Sequence, residues 1–441
     1  MKINLTLGKP ALGSLLQSAV WAVFFLISGG SQAAILTYGA DPAAEKGKLE
    51  PGEQPPEPLG RIFPDLPMNF KERISIKNEG FSMIPGLVIL GDYTQFEQDE
   101  ASLRQLGIQE SAWETRAMRL ILRGHIGSGY RVGYLMGVEY NDLKFLDGQL
   151  WQVSDLAFDF PLTGTGRTKL VLGKMKEAFS YEMVGDAANL PHQERLLNPF
   201  FQSRNIGAQI THIAESQRYT LRAGIFNDSR FETGQFESGD WQAAARLSGL
   251  LVDDVERNRY VHFGVAGRYV GASGDELRYR GRAESNVSSN FVDTGTFSAD
   301  HAYHLGLEGL WNEGPFSLLA EFTQAWVSSS AKGDPSFFGC YLTASWVLTG
   351  ETRPYDRTVG YARRIMPKSK WGAPELVVRV AHVDLEDEEA RGGEFDRLSI
   401  GLNWWATRRW KMGVTYGQTW LDRDGEQGVA ESVLARVQWV F

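Results

Sequence analysis

Arg131-Val132-Gly133-Tyr134-Leu135-Met136-Gly137-Val138-Glu139-Tyr140 divides into two sets of side chains. The even positions are bulky and apolar, and the odd ones are mostly Arg, Gly and Glu. A period of two sends alternate side chains to opposite faces of a strand, so this stretch predicts a strand with one apolar and one wet face. Tyr219, Leu221, Ala223 and Ile225 stand in the same relation to Arg218, Thr220, Arg222 and Gly224. Leu398, Ile400, Leu402 and Trp404 alternate with Ser399, Gly401 and Asn403, and Trp410, Met412, Val414 and Tyr416 with Lys411, Gly413 and Thr415.

About sixteen such segments succeed one another, near 81–97, 112–126, 130–142, 150–160, 167–177, 204–214, 217–227, 239–250, 259–273, 301–313, 315–330, 336–349, 374–386, 394–407, 409–422 and 429–441. Most exceed the roughly five or six residues of soluble strands, and many reach the ~9–11 needed to cross a bilayer at a tilt. An even count suits a closed chain of antiparallel strands, so the expected fold is all-β, a transmembrane barrel of residues 71–441. The 43% hydrophobic content does not oppose a membrane, because a barrel wall averages its lipid-facing half with its wet half. No amphipathic helix is evident. Connections tend to alternate short and long: Gly127-Ser128-Gly129, Asn312-Glu313-Gly314 and Ala406-Thr407-Arg408 are tight, whereas 178–203 and 274–300 are long. The segment 349–373 breaks the rule, being long where parity demands a turn.

Ahead of the barrel, Lys2 and Lys9, the apolar run Val20-Trp21-Ala22-Val23-Phe24-Phe25-Leu26-Ile27 and small residues up to Ala33 read as a cleavable secretory signal over 1–33. The run is far shorter than the ~20 residues of a membrane anchor. Residues 34–70 include Pro51-Gly52-Glu53-Gln54-Pro55-Pro56-Glu57-Pro58 and read as a periplasmic linker without an apolar period. At the other end Val433, Ala435, Val437, Trp439 and Phe441 share one face, a pattern similar to the signal by which the barrel-assembly machinery of an outer membrane selects its substrates.

Cys340 is alone and forms no internal disulfide, which excludes a disulfide-stapled scaffold. The net charge of −9, or −11 once Lys2 and Lys9 depart, argues against nucleic acid as a partner. No catalytic or cofactor-binding constellation emerges. His301 and His304 are three apart on a strand and so face opposite sides, which leaves no metal set. Gly164-Thr165-Gly166-Arg167 lacks the strand-to-helix context of a phosphate loop and reads as a turn. The acidic run Glu386-Asp387-Glu388-Glu389 reads as a solvated loop, with divalent cations near lipopolysaccharide as the alternative.

Leu172-Gly173-Lys174-Met175-Lys176-Glu177-Ala178-Phe179, Glu194-Arg195, Arg204-Asn205-Ile206-Gly207, Phe291-Val292-Asp293-Thr294-Gly295 and above all Leu348-Thr349-Gly350-Glu351-Thr352-Arg353-Pro354-Tyr355-Asp356 resemble the phosphate-selective porin O/P family. The similarity runs on through Gly372-Ala373-Pro374-Glu375-Leu376 and Gly401-Leu402-Asn403-Trp404 to the terminus. It implies a sixteen-stranded homotrimeric outer-membrane porin narrowed by two inward loops and one inward turn, matching 178–203, 274–300 and 349–373. Family pores gather lysines and arginines at the constriction, but here the stretch between Tyr181 and Glu194 has none and offers Asn189 and His192.

With the apolar set facing lipid, Arg119, Arg123, Arg131, Arg222, Arg246, Arg268, Arg379, Lys411 and Arg436 fall on the water face. A guanidinium stays charged and holds oxyanions through paired donors, so such a ladder would pass small inorganic anions, phosphate among them. The alternative is that these cations pair with Glu139, Asp155, Asp159, Glu308 and Glu321 and brace the wall. Lys174, Lys176, Arg195 and Arg204 bracket the first inward loop, and Arg353, Arg357, Arg363 and Arg364 sit on the inward turn. The expected surroundings are outer-membrane lipid and lipopolysaccharide.

Overall fold

The computed structural model describes residues 74–128, 131–140, 151–227, 236–237, 241–272, 276–387 and 389–441. The expected signal and the whole of the expected linker lie outside the described residues. Sixteen long strands among those described form one antiparallel sheet: β1 (Phe81–Gln98), β2 (Ala112–Ile126), β3 (Val132–Tyr140), β4 (Trp151–Pro161), β5 (Thr168–Met175), β6 (Asn205–Ile213), β7 (Tyr219–Asn227) and β8 (Trp241–Asp254). The circuit continues with β9 (Arg259–Gly271), β10 (His301–Glu313), β11 (Phe316–Ser328), β12 (Ser336–Val347), β13 (Ala373–Asp387), β14 (Ala390–Trp405), β15 (Trp410–Arg423) and β16 (Glu426–Val440). Each strand pairs with the next, and β16 pairs back onto β1 from Val88↔Val440 to Gln98↔Ala430, which closes the barrel and removes its edges. Phe441 completes the seam: its N–H donates to the Leu87 carbonyl at 2.9 Å and its carbonyl accepts from Leu87 N at 3.1 Å.

The period-two pattern maps onto the two faces of the wall. Met136, Val138, Leu221, Ile225, Ile400, Leu402, Val414 and Val437 are exposed on the outside, while Ser399, Asn403, Lys411 and Arg436 are buried on the inside. Aromatic residues crowd both rims of the outer face. Trp113, Trp151, Trp241, Tyr303 and Trp326 are exposed near the rim that carries the long loops, and Tyr219, Phe316 and Trp346 near the rim of short turns. Such amphipathic rings suit the two interfaces of a bilayer.

Three connections differ from the expected pattern. The loop after β1 contains a two-turn helix, α1 (Glu100–Leu106), capped by Asp99, whose carboxylate accepts from Ser102 N at 2.7 Å. The β13–β14 and β15–β16 connections are tight hairpins rather than loops, since the strands extend to Asp387/Ala390 and Arg423/Glu426. At the latter, Asp424 (φ 55°) and Gly425 (φ 76°) adopt the doubly left-handed geometry of a type I′ turn.

The barrel is not hollow. Segments 176–204, 276–300 and 348–372 fold inward, and Phe179, Tyr181, Met183, Leu197, Phe200, Tyr279, Phe291, Val292, Tyr361 and Phe395 join in an apolar core inside the lumen. The first loop and the inward turn meet directly. Tyr181 Oη accepts from Ala362 N at 2.9 Å, Asn189 Nδ2 donates to Tyr361 Oη at 2.8 Å, and Arg353 donates to the Asn189 carbonyl at 3.0 Å. The segment 349–373, too long for a turn by parity, is thus a third inward-folded element.

Candidate functional site: the pore constriction

The packed loops divide the interior into two unlike halves. On the side of β8–β16 the inward arginines are bound to carboxylates and backbone. Arg246 meets Glu308 at 2.5 Å and donates to the carbonyls of Val359 and Gly360. Arg268 meets Glu177 at 2.9 Å. Arg379 bridges Glu182 (2.5 Å) and Glu284 (2.6 Å), and Arg397 holds the other oxygen of Glu284 at 2.7 Å. Arg436 binds Asp92 and Glu194, and Arg353 binds Glu375. Lys411 donates to the Leu190 carbonyl at 3.1 Å and lies 4.7 Å from the Trp405 ring centre.

Glu182 shows why this half is rigid. It is wholly buried, yet it accepts from Leu196 N and Leu197 N at 3.0 Å each as well as from Arg379. Burial pushes its carboxyl up, but the Arg379 guanidinium, His192 and the backbone donors hold it down at about 2. The same loop continues through Tyr181 N and Glu182 N, which donate to Glu321 on β11.

The other half keeps a small cavity. Between the first loop and the wall of β1, β2 and β16 lies a cavity of about 70 Å³ lined by Arg116, Arg119, Lys176, Arg195, Arg204 and Arg364, with Asp186 as the one carboxylate in its lining among the described residues. Val88, Leu90, Ala117, Ile121 and Val440 form its apolar wall, and Asn189 and Ala188 face it from the loop. Four of the six cations have a carboxylate neighbour: Arg116 with Glu194 (2.5 Å), Arg119 with Glu139 (2.7 Å), Lys176 with Asp186 (3.0 Å) and Arg204 with Asp155 (2.9 Å). Arg195 and Arg364 instead donate to backbone carbonyls, of Glu182 and Gly185 and of Arg408 respectively. Burial, with Arg204, Arg195 and Arg119 close by, pulls the Lys176 ammonium down to about 8, and burial together with Arg116 pulls Arg195 down to about 10.

The residues singled out from sequence therefore separate. Arg119, Lys176, Arg195, Arg204 and Arg364 come together at the cavity. Arg246, Arg268, Arg379, Arg436 and Arg353 face inward but are 3% exposed or less and serve as braces, because a carboxylate stands opposite each one. Arg222 donates to the Thr358 carbonyl, Arg357 binds Asp253 at 2.7 Å and Arg363 binds Asp356, so all three pin the inward turn. Arg123 is exposed at the short-turn rim, level with Ile84, and Arg131 lies exposed in the adjoining turn. Lys174 does not belong to the lumen set: it stands in register with Leu156 and Ile206, both exposed on the outer face. Asn189 reaches the cavity, whereas His192 is buried beside Glu182 at 3.1 Å.

Arg116 escaped the parity argument. The register steps from Leu90↔Ala117 to Gly91↔Thr115, so Arg116 is the extra residue of a β-bulge and turns inward although its neighbour Arg119 has the opposite parity. A signal existed: exposed apolar residues fall on odd positions at Trp113 and on even ones at Leu120 and Leu122. That switch of phase requires a bulge between them.

Comparison with known proteins agrees with this architecture. The family model for phosphate-selective porin O and P matches residues 87–441. An uncharacterized protein of Caulobacter vibrioides is 26% identical over 325 residues, 69% of this chain and 62% of that protein. Porin O of Pseudomonas aeruginosa is 26% identical over 163 residues, 33% of this chain and 36% of that porin. The chain thus spans less than two thirds of the length of either relative. Two solved structures share the fold: the outer-membrane channel DcaP of Acinetobacter baumannii (TM-score 0.53, 10% identity, 83% of this chain and 99% of that one) and the anion-selective porin of Comamonas acidovorans (TM-score 0.53, 12% identity, 82% and 100%). A closed sixteen-stranded barrel with an apolar outer wall, inward loops and a match over nearly the whole barrel leads to one assignment: the chain belongs to the phosphate-selective porin O and P family of outer-membrane porins.

Proposed function

We propose that this porin passes small anions, with phosphate or a related oxyanion favoured, through a passage between the first inward loop and the wall of β1, β2 and β16. The observation that carries the reading is the lining: six cations against one carboxylate, two of them, Arg195 and Arg364, held by backbone carbonyls alone. A guanidinium so placed keeps donors and charge for an oxyanion, and several weak sites in series favour entry without trapping. The test is the reversal potential of the purified protein in a planar bilayer under a salt gradient, with phosphate titrated into chloride. Anion selectivity with chloride current blocked by phosphate supports the reading; cation selectivity without block overturns it.

A second reading, a general diffusion porin of weak selectivity, is favoured by the four lining cations that already have carboxylate neighbours. The same titration separates the two, since a general pore shows little preference and no phosphate block. The proposal includes export by the 1–33 signal, barrel insertion through the Phe441 terminus, lipopolysaccharide around the long-loop rim, and assembly as a homotrimer, to be checked by heat-modifiable gel migration and cross-linking.

A further inference from the structure

On the outer wall, near the long-loop rim, Asp384 of β13 stands directly opposite Glu394 of β14, and the next pair on the same face is His382 opposite Asp396. Val378 and Ile400, on the same faces of these strands, are exposed, so the quartet lies on the outward side. Like charges directly across a strand pair repel. Among the described residues no lysine or arginine forms an ion pair with Asp384, which accepts from Glu386 N at 2.8 Å.

His382 makes this more than an acidic patch. Its side chain is 6% exposed, its ring packs 5.1 Å from Phe338, and its Nδ1 is held 2.9 Å from Asp396 Oδ1. With Nδ1–H donating to the carboxylate, the lone pair stays on Nε2, which makes no hydrogen bond among the described residues. A carboxylate that fixes the tautomer of a buried imidazole in this way is the usual outer support of a metal-binding histidine. Ligand atoms of His382, Asp384 and Glu394 lie within 4.8 Å of one another.

The geometry points to a divalent-metal site formed by His382, Asp384 and Glu394, with Asp396 orienting the imidazole. One nitrogen and two carboxylates suit a borderline transition ion such as Zn²⁺, whereas Mg²⁺ prefers an all-oxygen octahedron. The ion would offset the facing carboxylates and clamp β13 to β14 below their tight hairpin. It stands apart from the pore and survives or fails independently of the anion reading. The sequence hid the set because His382 and Asp384 are two apart on β13 whereas Glu394 comes ten residues after Asp384 and joins them only through the pairing of β13 with β14.

The test is calorimetric titration of Zn²⁺ into chelator-washed, full-length protein in detergent, with Mg²⁺ as the second probe. One saturable Zn²⁺ per chain is expected, weakened at least roughly tenfold in His382→Ala and Asp384→Asn and, through loss of orientation, in Asp396→Asn. Wild-type protein that takes up no Zn²⁺ overturns the proposal, as does equal affinity in His382→Ala, or Mg²⁺ binding as tightly as Zn²⁺. If a variant loses heat-modifiable migration, the wild-type stoichiometry and the Zn²⁺ to Mg²⁺ ratio still decide.

Discussion

Arg379 and Arg195 are the same residue type inside the same barrel, the first fully and the second partly buried, and they do opposite work. Arg379 lies between Glu182 and Glu284 and fastens the first loop to β13; Arg195, on that loop, donates its hydrogen bonds to backbone carbonyls and lines the cavity. What differs is the count of carboxylates within reach. A buried guanidinium that meets two acids is a strut, and one that meets none keeps its charge for a passing anion.

The contrast can be broken most severely at the strut. Arg379→Ala leaves Glu182 and Glu284 buried without their shared cation, which costs about 3–5 kcal/mol and should loosen the loop. Chemical denaturation and single-channel conductance would register a less stable and more variable pore; an unchanged protein would show that the brace is not needed. On the cavity side, Arg195→Ala takes the donor from the Glu182 and Gly185 carbonyls, which should cost about 1–3 kcal/mol, and should lower the anion-to-cation permeability ratio roughly tenfold. A unit charge ~10 Å from a permeating ion is worth about 1.7 kcal/mol at an effective dielectric constant near 20. The reversal potential under a salt gradient reads this directly.

Acidity gives a finer probe. Lys176 is charged below about 8 and neutral above it, so anion preference should decline as pH rises through that value. Lys176→Met should start from a lower preference and show no step there. The smallest effect belongs to Arg123, exposed at the short-turn rim. Arg123→Ala should change permeability by less than about twofold, and only at low salt, because screening acts within ~10 Å at 0.1 M. An effect as large as that of Arg195→Ala would move the selective step to the rim.

Several further details are legible in the residues. Asp424-Gly425 between alternating strands is a two-residue hairpin signal, and Asp99 three residues before Ser102 is a helix cap. The phase change between Trp113 and Leu120 marks the bulge that aims Arg116 inward, and Val153 against Leu156 marks another on β4. Lys174 is different. It sits beside the left-handed Gly173 (φ 121°) at the end of β5, where sequence alone offers no reason to prefer one face.

The barrel is legible in the sequence: strand number, the face most side chains take and the closing role of the last strand follow from a period of two, which the pleated backbone enforces locally between bulges. Which inward charges are struts and which line the cavity is settled in the folded barrel alone. That choice depends on carboxylates brought by loops far along the chain, as when Glu182 and Glu284 converge on Arg379, and no local period records where a loop will fold.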